Sequence, residues 1–230
     1  MESVVLVPGL IASPRYFAAQ IPMLWQFGPV NVANHTAHDS MAALARDILA
    51  AAPPRFALLG HSMGGYIAFE IIRQARHRVT RLALLDTSAR ADSPEQTENR
   101  RRQIAIAQAG RFAELPDLQY PNYVHPDRHA DTALRALIRA MAEDNGADAF
   151  VRQQNAIIGR VDSRPTLATI TCPTLVLVGD ADQPTPPERA QEIAAGIAGS
   201  KLVVVPRSGH MTTLERPAEV TAALRDWMRM

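Results

Sequence analysis

The chain has 230 residues, with 24 basic and 23 acidic side chains and a formal net charge of +1. Hydrophobic residues make up 47% and charged residues 20%, an ordinary balance for a packed globular protein, which excludes disorder, collagen-like repeats and coiled coil. With no excess of either sign, nothing draws the protein to a nucleic-acid backbone or an anionic membrane surface.

No run reaches the roughly 18 apolar residues of a membrane helix. The N-terminus, with Glu2 and no basic stretch, carries no signal-peptide pattern. The single cysteine, Cys172, cannot form an intramolecular disulfide and reads as a structural thiol. The expectation from these features is a cytoplasmic location. A prior of about 150 residues per domain fits one large domain carrying an insertion.

Val4–Val7 reads as a buried strand, apolar throughout and closed by Pro8-Gly9. A second strand covers Val30–Ala33, followed by a loop holding His35, His38 and Asp39. Asp39 or Ser40 then caps a helix running to Ala51. Arg55–Leu59 is a strand, Met63–Ala75 a helix, and Val79–Leu85 a strand ending at Asp86. From Ser88 to about Pro165 the rhythm changes and no strand pattern occurs. Helical patterns cover Pro94–Leu115, Asp131–Asn145 and Ala147–Ile158, with a Pro-, Tyr- and His-rich link at Tyr120–His129. Strands return at Thr174–Val178 and Lys201–Val205, around a helix at Pro187–Ile197. Thr185-x-x-Glu188 predicts a capping box for that helix, and the last helix runs from Pro217 to Trp227. Strands alternating with helices predict a parallel α/β sheet covered on both faces. The all-helical insert predicts a cap at 88–165 over a core formed by 1–87 and 166–230.

Gly60-His61-Ser62-Met63-Gly64 fits G-x-S-x-G, between a strand and a helix. In that context it reads as a nucleophile elbow, which lifts the serine hydroxyl above the sheet edge. A serine hydroxyl needs a base to become a nucleophile. His210, in the loop between the last strand and the last helix, sits at the same edge. Imidazole can take the serine proton and return it to a leaving group near neutral pH. An acid should orient that ring, and Gly179-Asp180-Ala181-Asp182 closes the preceding strand at this edge.

With Pro8-Gly9, Gly60-His61-Ser62-Met63-Gly64-Gly65, Gly179-x-x-Asp182 and Ser208-Gly209-His210, the chain resembles the α/β-hydrolase family over nearly its whole length. The resemblance implies Asp182 as the acid, with Asp180 and Asp86 as alternatives. It implies an oxyanion hole from the backbone N–H groups of Leu10 and Met63, although Pro8 stands where relatives have histidine. It also implies about six strands, all parallel, because the two that usually come first have no counterpart. The short cap implies a small acyl pocket, with Ile11, Tyr123 and Met211 beside the site. No metal or organic cofactor is implied.

The expected activity is serine-dependent hydrolysis of small carboxylic esters, with an ester or lactone as the small-molecule substrate. The same machinery in relatives opens enol-lactones, cleaves carbon–carbon bonds of diketones, performs perhydrolysis or runs a menaquinone-pathway elimination. Dehalogenation is disfavoured, since relatives doing it carry aspartate where this chain has Ser62. A ligand-binding protein on the same scaffold is the alternative of a different class. The oligomeric state is not indicated.

The remaining motifs have plainer readings. His35-x-x-His38-Asp39 reads as a capped, solvated loop rather than a metal site. His61 reads as a packing residue inside the elbow. Arg100-Arg101-Arg102 reads as a solvated helix face, or else as a trap for a carboxylate substrate. Arg160 and Arg164 read as ties holding the cap, and Tyr120, Tyr123, His125 and His129 as polar residues at its mouth.

Overall fold

The structure is a computed structural model describing residues 1–230. Its strands are β1 (Val4–Val7), β2 (Val30–Val32), β3 (Phe56–His61), β4 (Val79–Leu85), β5 (Thr174–Gly179) and β6 (Lys201–Val205). They form one sheet in the order β2-β1-β3-β4-β5-β6, every pair parallel. β1, β3 and β5 are buried along their whole length, which explains their unbroken apolar sequences.

Eight helices have nine residues or more: α1 (Met41–Ala51), α2 (Met63–Ala75), α3 (Pro94–Ile106), α4 (Leu115–Tyr123), α5 (Thr132–Asn145), α6 (Ala147–Ile158), α7 (Pro187–Gly196) and α8 (Pro217–Met228). Alternate strand residues feed two cores. Val5, Leu58, Leu84 and Val176 pack with α1, α2 and α7 on one face. Leu6, Leu59, Leu85 and Leu177 pack on the other, with Trp227 of α8 and Ile138 of α5. Each large side chain fully buried this way contributes about 2–3 kcal/mol. No helix is long and apolar enough to cross a membrane.

Three local expectations change. The helix read over Pro94–Leu115 breaks at Gly110, whose φ of 79° lies outside the right-handed helical range. The link expected at Tyr120–His129 begins inside α4, which starts with Pro116 near its N-terminus and tolerates Pro121 within it. The capping box at Thr185 does not form: Pro186 holds the N-cap position and accepts no side-chain bond. The Thr185 hydroxyl donates instead to Asp182. At α1 the cap is Ser40, whose hydroxyl accepts from the Ala43 N–H.

Candidate active site

The sharp turn between β3 and α2 puts Ser62 at φ 52°, ψ −115°, a strained conformation for a residue with a side chain. Sterics leave little alternative to glycine around it. A Cβ on Gly60 would lie 2.4 Å from the Gly64 carbonyl oxygen, and one on Gly64 would lie 2.0 Å from that of Val7. The turn is tied to β4, because the Ser62 N–H donates to the Leu85 carbonyl and the Thr87 hydroxyl to the Ser62 carbonyl.

Ser62 Oγ lies 2.9 Å from His210 Nε2, and His210 Nδ1 lies 2.9 Å from Asp182 Oδ2. Beside a carboxylate, Nδ1 carries the proton, which leaves Nε2 free to accept from the serine hydroxyl. Asp182 is further fixed by Thr185, whose N–H donates to Oδ1 and whose hydroxyl donates to Oδ2. Asp182 and His210 are both buried. The serine, histidine and Asp182 named from sequence therefore meet at hydrogen-bond distance.

The two other acids do different work. Asp180 accepts from the Ser208 N–H and closes the loop after β5. Asp86 lies beneath the site, accepting from the Gly179 N–H and sharing a 2.5 Å hydrogen bond with the Thr212 hydroxyl. Complete burial, then the nearby charge of Asp182, push its pKa well above the carboxylate range.

The loop carrying His210 is held by groups far apart in sequence. Glu215 accepts from the N–H groups of Gly209, Met211 and His125. The His210 N–H donates to the Tyr123 carbonyl at the end of α4, which joins the helical segment to this loop. His61 donates its Nε2–H to the His210 carbonyl and stacks on Tyr16 at 4.0 Å. Burial first, and His210 second, hold the His61 pKa well below the usual imidazole value, so the ring is neutral.

Leu10 and Met63 flank Ser62 from two sides. Met63 opens α2, so its N–H has no carbonyl one turn back. The Leu10 N–H also meets no protein acceptor. The Gly9–Leu10 peptide is clamped at its other end, where His35 donates its Nε2–H to the Gly9 carbonyl at 2.8 Å. Next along, Ile11 has φ 48° and donates its N–H to Gln153 Oε1 of α6. Gln153 also donates to the carbonyl of His35 and to Asn145 Oδ1. His35 is thus a buried tie between two loops, while His38 faces outward to Asp47. The two histidines do not converge, and no group of three or more His, Cys, Asp or Glu side chains is arranged to hold a metal.

Two recesses open from Ser62, sharing Leu10, Tyr123 and His210 as walls. One is a narrow apolar pouch of about 20 Å³ with Ile11, Ile138, Met141 and Met211. The other is a polar cleft of about 300 Å³ bounded by Tyr66, Ser93, Gln96, Arg100 and Arg160. Tyr123 stands between them, its ring 5.5 Å from that of His210 and its hydroxyl pKa raised by burial to about 12, so it stays a neutral donor. Of the arginine run, Arg100 turns inward to Asp92 and Gln154, whereas Arg102 stays outside near Glu98. Arg160 binds Asp92 and Arg164 binds Asp162. Gln153 and Glu215 were not singled out by sequence, where their only signal is a polar residue type, and Thr185 was read there only as a helix cap.

Known proteins match the fold along the whole chain. A thermophilic esterase from Thermogutta terrifontis, solved with malate bound, superposes with a TM-score of 0.90 at 30% identity, covering 100% of this chain and 90% of that one. The enol-lactonase from Burkholderia xenovorans LB400 shares the fold with a TM-score of 0.89 at 24% identity, over 100% of this chain and 92% of its own. A pimeloyl-[acyl-carrier protein] methyl ester esterase from Neisseria meningitidis is 25% identical over 99% of this chain and 94% of its own. The sequence profile of the alpha/beta hydrolase family matches residues 4–224, and the chain belongs to that family.

Proposed function

We propose that this protein is a serine hydrolase of small carboxylic esters, working through an acyl-enzyme. The observation that carries the reading is the unbroken line from Ser62 Oγ through His210 to Asp182, at 2.9 Å per link. Ser62 attacks the ester carbonyl while His210 takes its proton. Asp182 keeps the imidazole in the required tautomer and stabilises the imidazolium. The N–H groups of Leu10 and Met63 receive the oxyanion, each such donor being worth about 3–4 kcal/mol in the transition state. His210 then protonates the leaving alcohol, and water repeats the sequence on the acyl-enzyme.

The oxyanion donor at Leu10 depends on the tilt of one peptide plane. His35 holds that plane by its carbonyl, and Gln153 holds the next N–H, so both act as positioning residues. In this reading residues 88–165 form a lid on a core of 1–87 and 166–230. Ile11, Tyr123 and Met211 line the substrate pocket. The narrow pouch favours a short acyl group. Lactone opening follows the same steps, with the leaving alkoxide still tethered.

Initial rates on p-nitrophenyl esters from acetate to dodecanoate, for wild type beside Ser62→Ala, test the proposal. The expected result is serine-dependent turnover that is fastest on short acyl chains. Undiminished turnover by clean Ser62→Ala would remove the mechanism. A folded wild type that binds esters without product would favour a binding protein.

A further inference from the structure

The polar recess beside Ser62 has a charge excess that the triad chemistry does not use. Arg90, Arg100, Arg160, Arg164 and Arg189 line it, beside Asp92 and Asp162. Glu192 joins them from just outside by binding Arg90. Five arginines face three carboxylates, an excess of two positive charges in a chain whose whole net charge is +1.

The arrangement is built inward. Asp92, with a side chain 1% exposed, receives Arg100 Nε at 2.7 Å and Arg160 Nη1 at 2.6 Å. One buried carboxylate therefore holds two guanidinium groups. Arg160, 6% exposed, is fixed by three further contacts: Nε donates to the Arg90 carbonyl, Nη1 to that of Ile157, and the guanidinium lies 4.2 Å over the Tyr66 ring. Its Nη2 has no protein acceptor. Arg189, on α7 across the recess, makes no side-chain hydrogen bond and no ion pair within 4.0 Å, although its charge is felt by Glu192 one turn along the helix. A buried guanidinium with its geometry fixed and donors left over suits a planar carboxylate.

We infer that this recess is a carboxylate subsite, and that the preferred ester carries a free carboxylate on the part lying away from the apolar pouch, with Arg160 and Arg189 as its donors. This deepens the hydrolase reading and rests on it. Arg100 keeps Asp92 and Gln154 in place beside Arg160. Opposite charges attract the substrate before the ester reaches Ser62, so the preference weakens as salt rises.

Matched esters test it, with released acid followed by pH-stat. One pair places the charge on the alcohol: O-acetylglycolate against ethyl acetate. The other places it on the acyl group: monomethyl succinate against methyl butanoate. At low salt, kcat/KM for the charged member of at least one pair should exceed its neutral partner about tenfold, the usual worth of a charge-assisted hydrogen bond. The pair showing the preference identifies which end of the ester enters the recess. In Arg160→Gln the ratio should fall toward one through KM. Arg189→Gln, on an accessible residue, gives the same reading if Arg160→Gln fails to fold. Ratios near one in both pairs, with serine-dependent turnover intact, would overturn the subsite and leave the hydrolase reading standing. Binding separates the two claims: glutarate should bind Ser62→Ala by calorimetry, and bind more weakly once Arg189→Gln is added. Absent binding would overturn the subsite even if no ester is turned over.

Discussion

The two walls of the cleft are held by different physics. The sheet wall carries Ser62 and His210 on turns fixed by backbone contacts, with glycines packed against carbonyl oxygens. The helical wall, from α3 to α6, is held to the cleft by long side chains: Arg100 and Arg160 on Asp92, and Gln153 on Ile11. Small-residue contacts at sub-van der Waals tolerance allow no adjustment. Long side chains meeting at their tips fix donors such as Arg160 without bearing on the turns that carry Ser62 and His210. The first wall suits invariant chemistry and the second suits substrate choice. Damage to the first should therefore appear in kcat, and damage to the arginine side of the second in KM and specificity.

The largest effects should come from the sheet wall. Asp182→Asn should lower kcat by about 10⁴, since the amide favours the wrong imidazole tautomer. Asp86→Asn should keep kcat within a few-fold, because an amide can accept from Gly179 and donate to Thr212. Steady-state kinetics on the two variants distinguish the acids, and a reversed order would exchange their roles. Gly64→Ala brings a Cβ to within 2.0 Å of the Val7 carbonyl oxygen and should cost about 3 kcal/mol or more, read by urea unfolding.

A smaller effect belongs to the joint between the walls. His35→Ala frees the Gly9 carbonyl and lets the Leu10 N–H tilt. We expect kcat to fall about 10–100-fold with KM nearly constant, somewhat less than deletion of an oxyanion donor. Gln153→Ala should act the same way from the helical side. A rise in KM alone in either variant would show that the loop shapes binding rather than the oxyanion hole.

Asp86 gives the comparison a pH axis. Its pKa is raised in the folded protein, so the folded state holds its proton more tightly than the unfolded chain does. That contribution to stability is complete below the unfolded carboxyl pKa of about 4. It is lost as pH rises through the folded value. Urea unfolding of wild type from pH 4 upward should show this decline, and Asp86→Asn should flatten it. The smallest effect lies on the outer face: Arg111→Ala, which loses an exposed pair with Glu114, should leave midpoint and kcat unchanged.

How much of this could be read in the sequence follows the same division. The six-stranded parallel sheet was legible because apolar strands and amphipathic helices alternate with clear periods. Ser62 and His210 could be singled out because glycine spacing and chain order mark the elbow and the edge loop, whereas Asp182 was preferred to Asp180 and Asp86 only through the resemblance to the α/β-hydrolase family. Gln153 and Glu215 could not, since their value depends on partners distant in sequence, such as Ile11 and His125. Thr185 was misread for a local reason: its spacing to Glu188 fits a helix cap, yet Asp182, three residues earlier, takes the hydroxyl. The helix break at Gly110 was visible as a glycine but hidden by helical periodicity on both sides.

Covalent trapping tests the central claim most directly. Wild type treated with an alkyl fluorophosphonate and examined by intact and peptide mass spectrometry should carry one adduct per chain, on Ser62. Labelling should be lost in Ser62→Ala and slowed strongly in Asp182→Asn. An adduct on another residue, or ester turnover by a protein that takes no label at Ser62, would contradict the account.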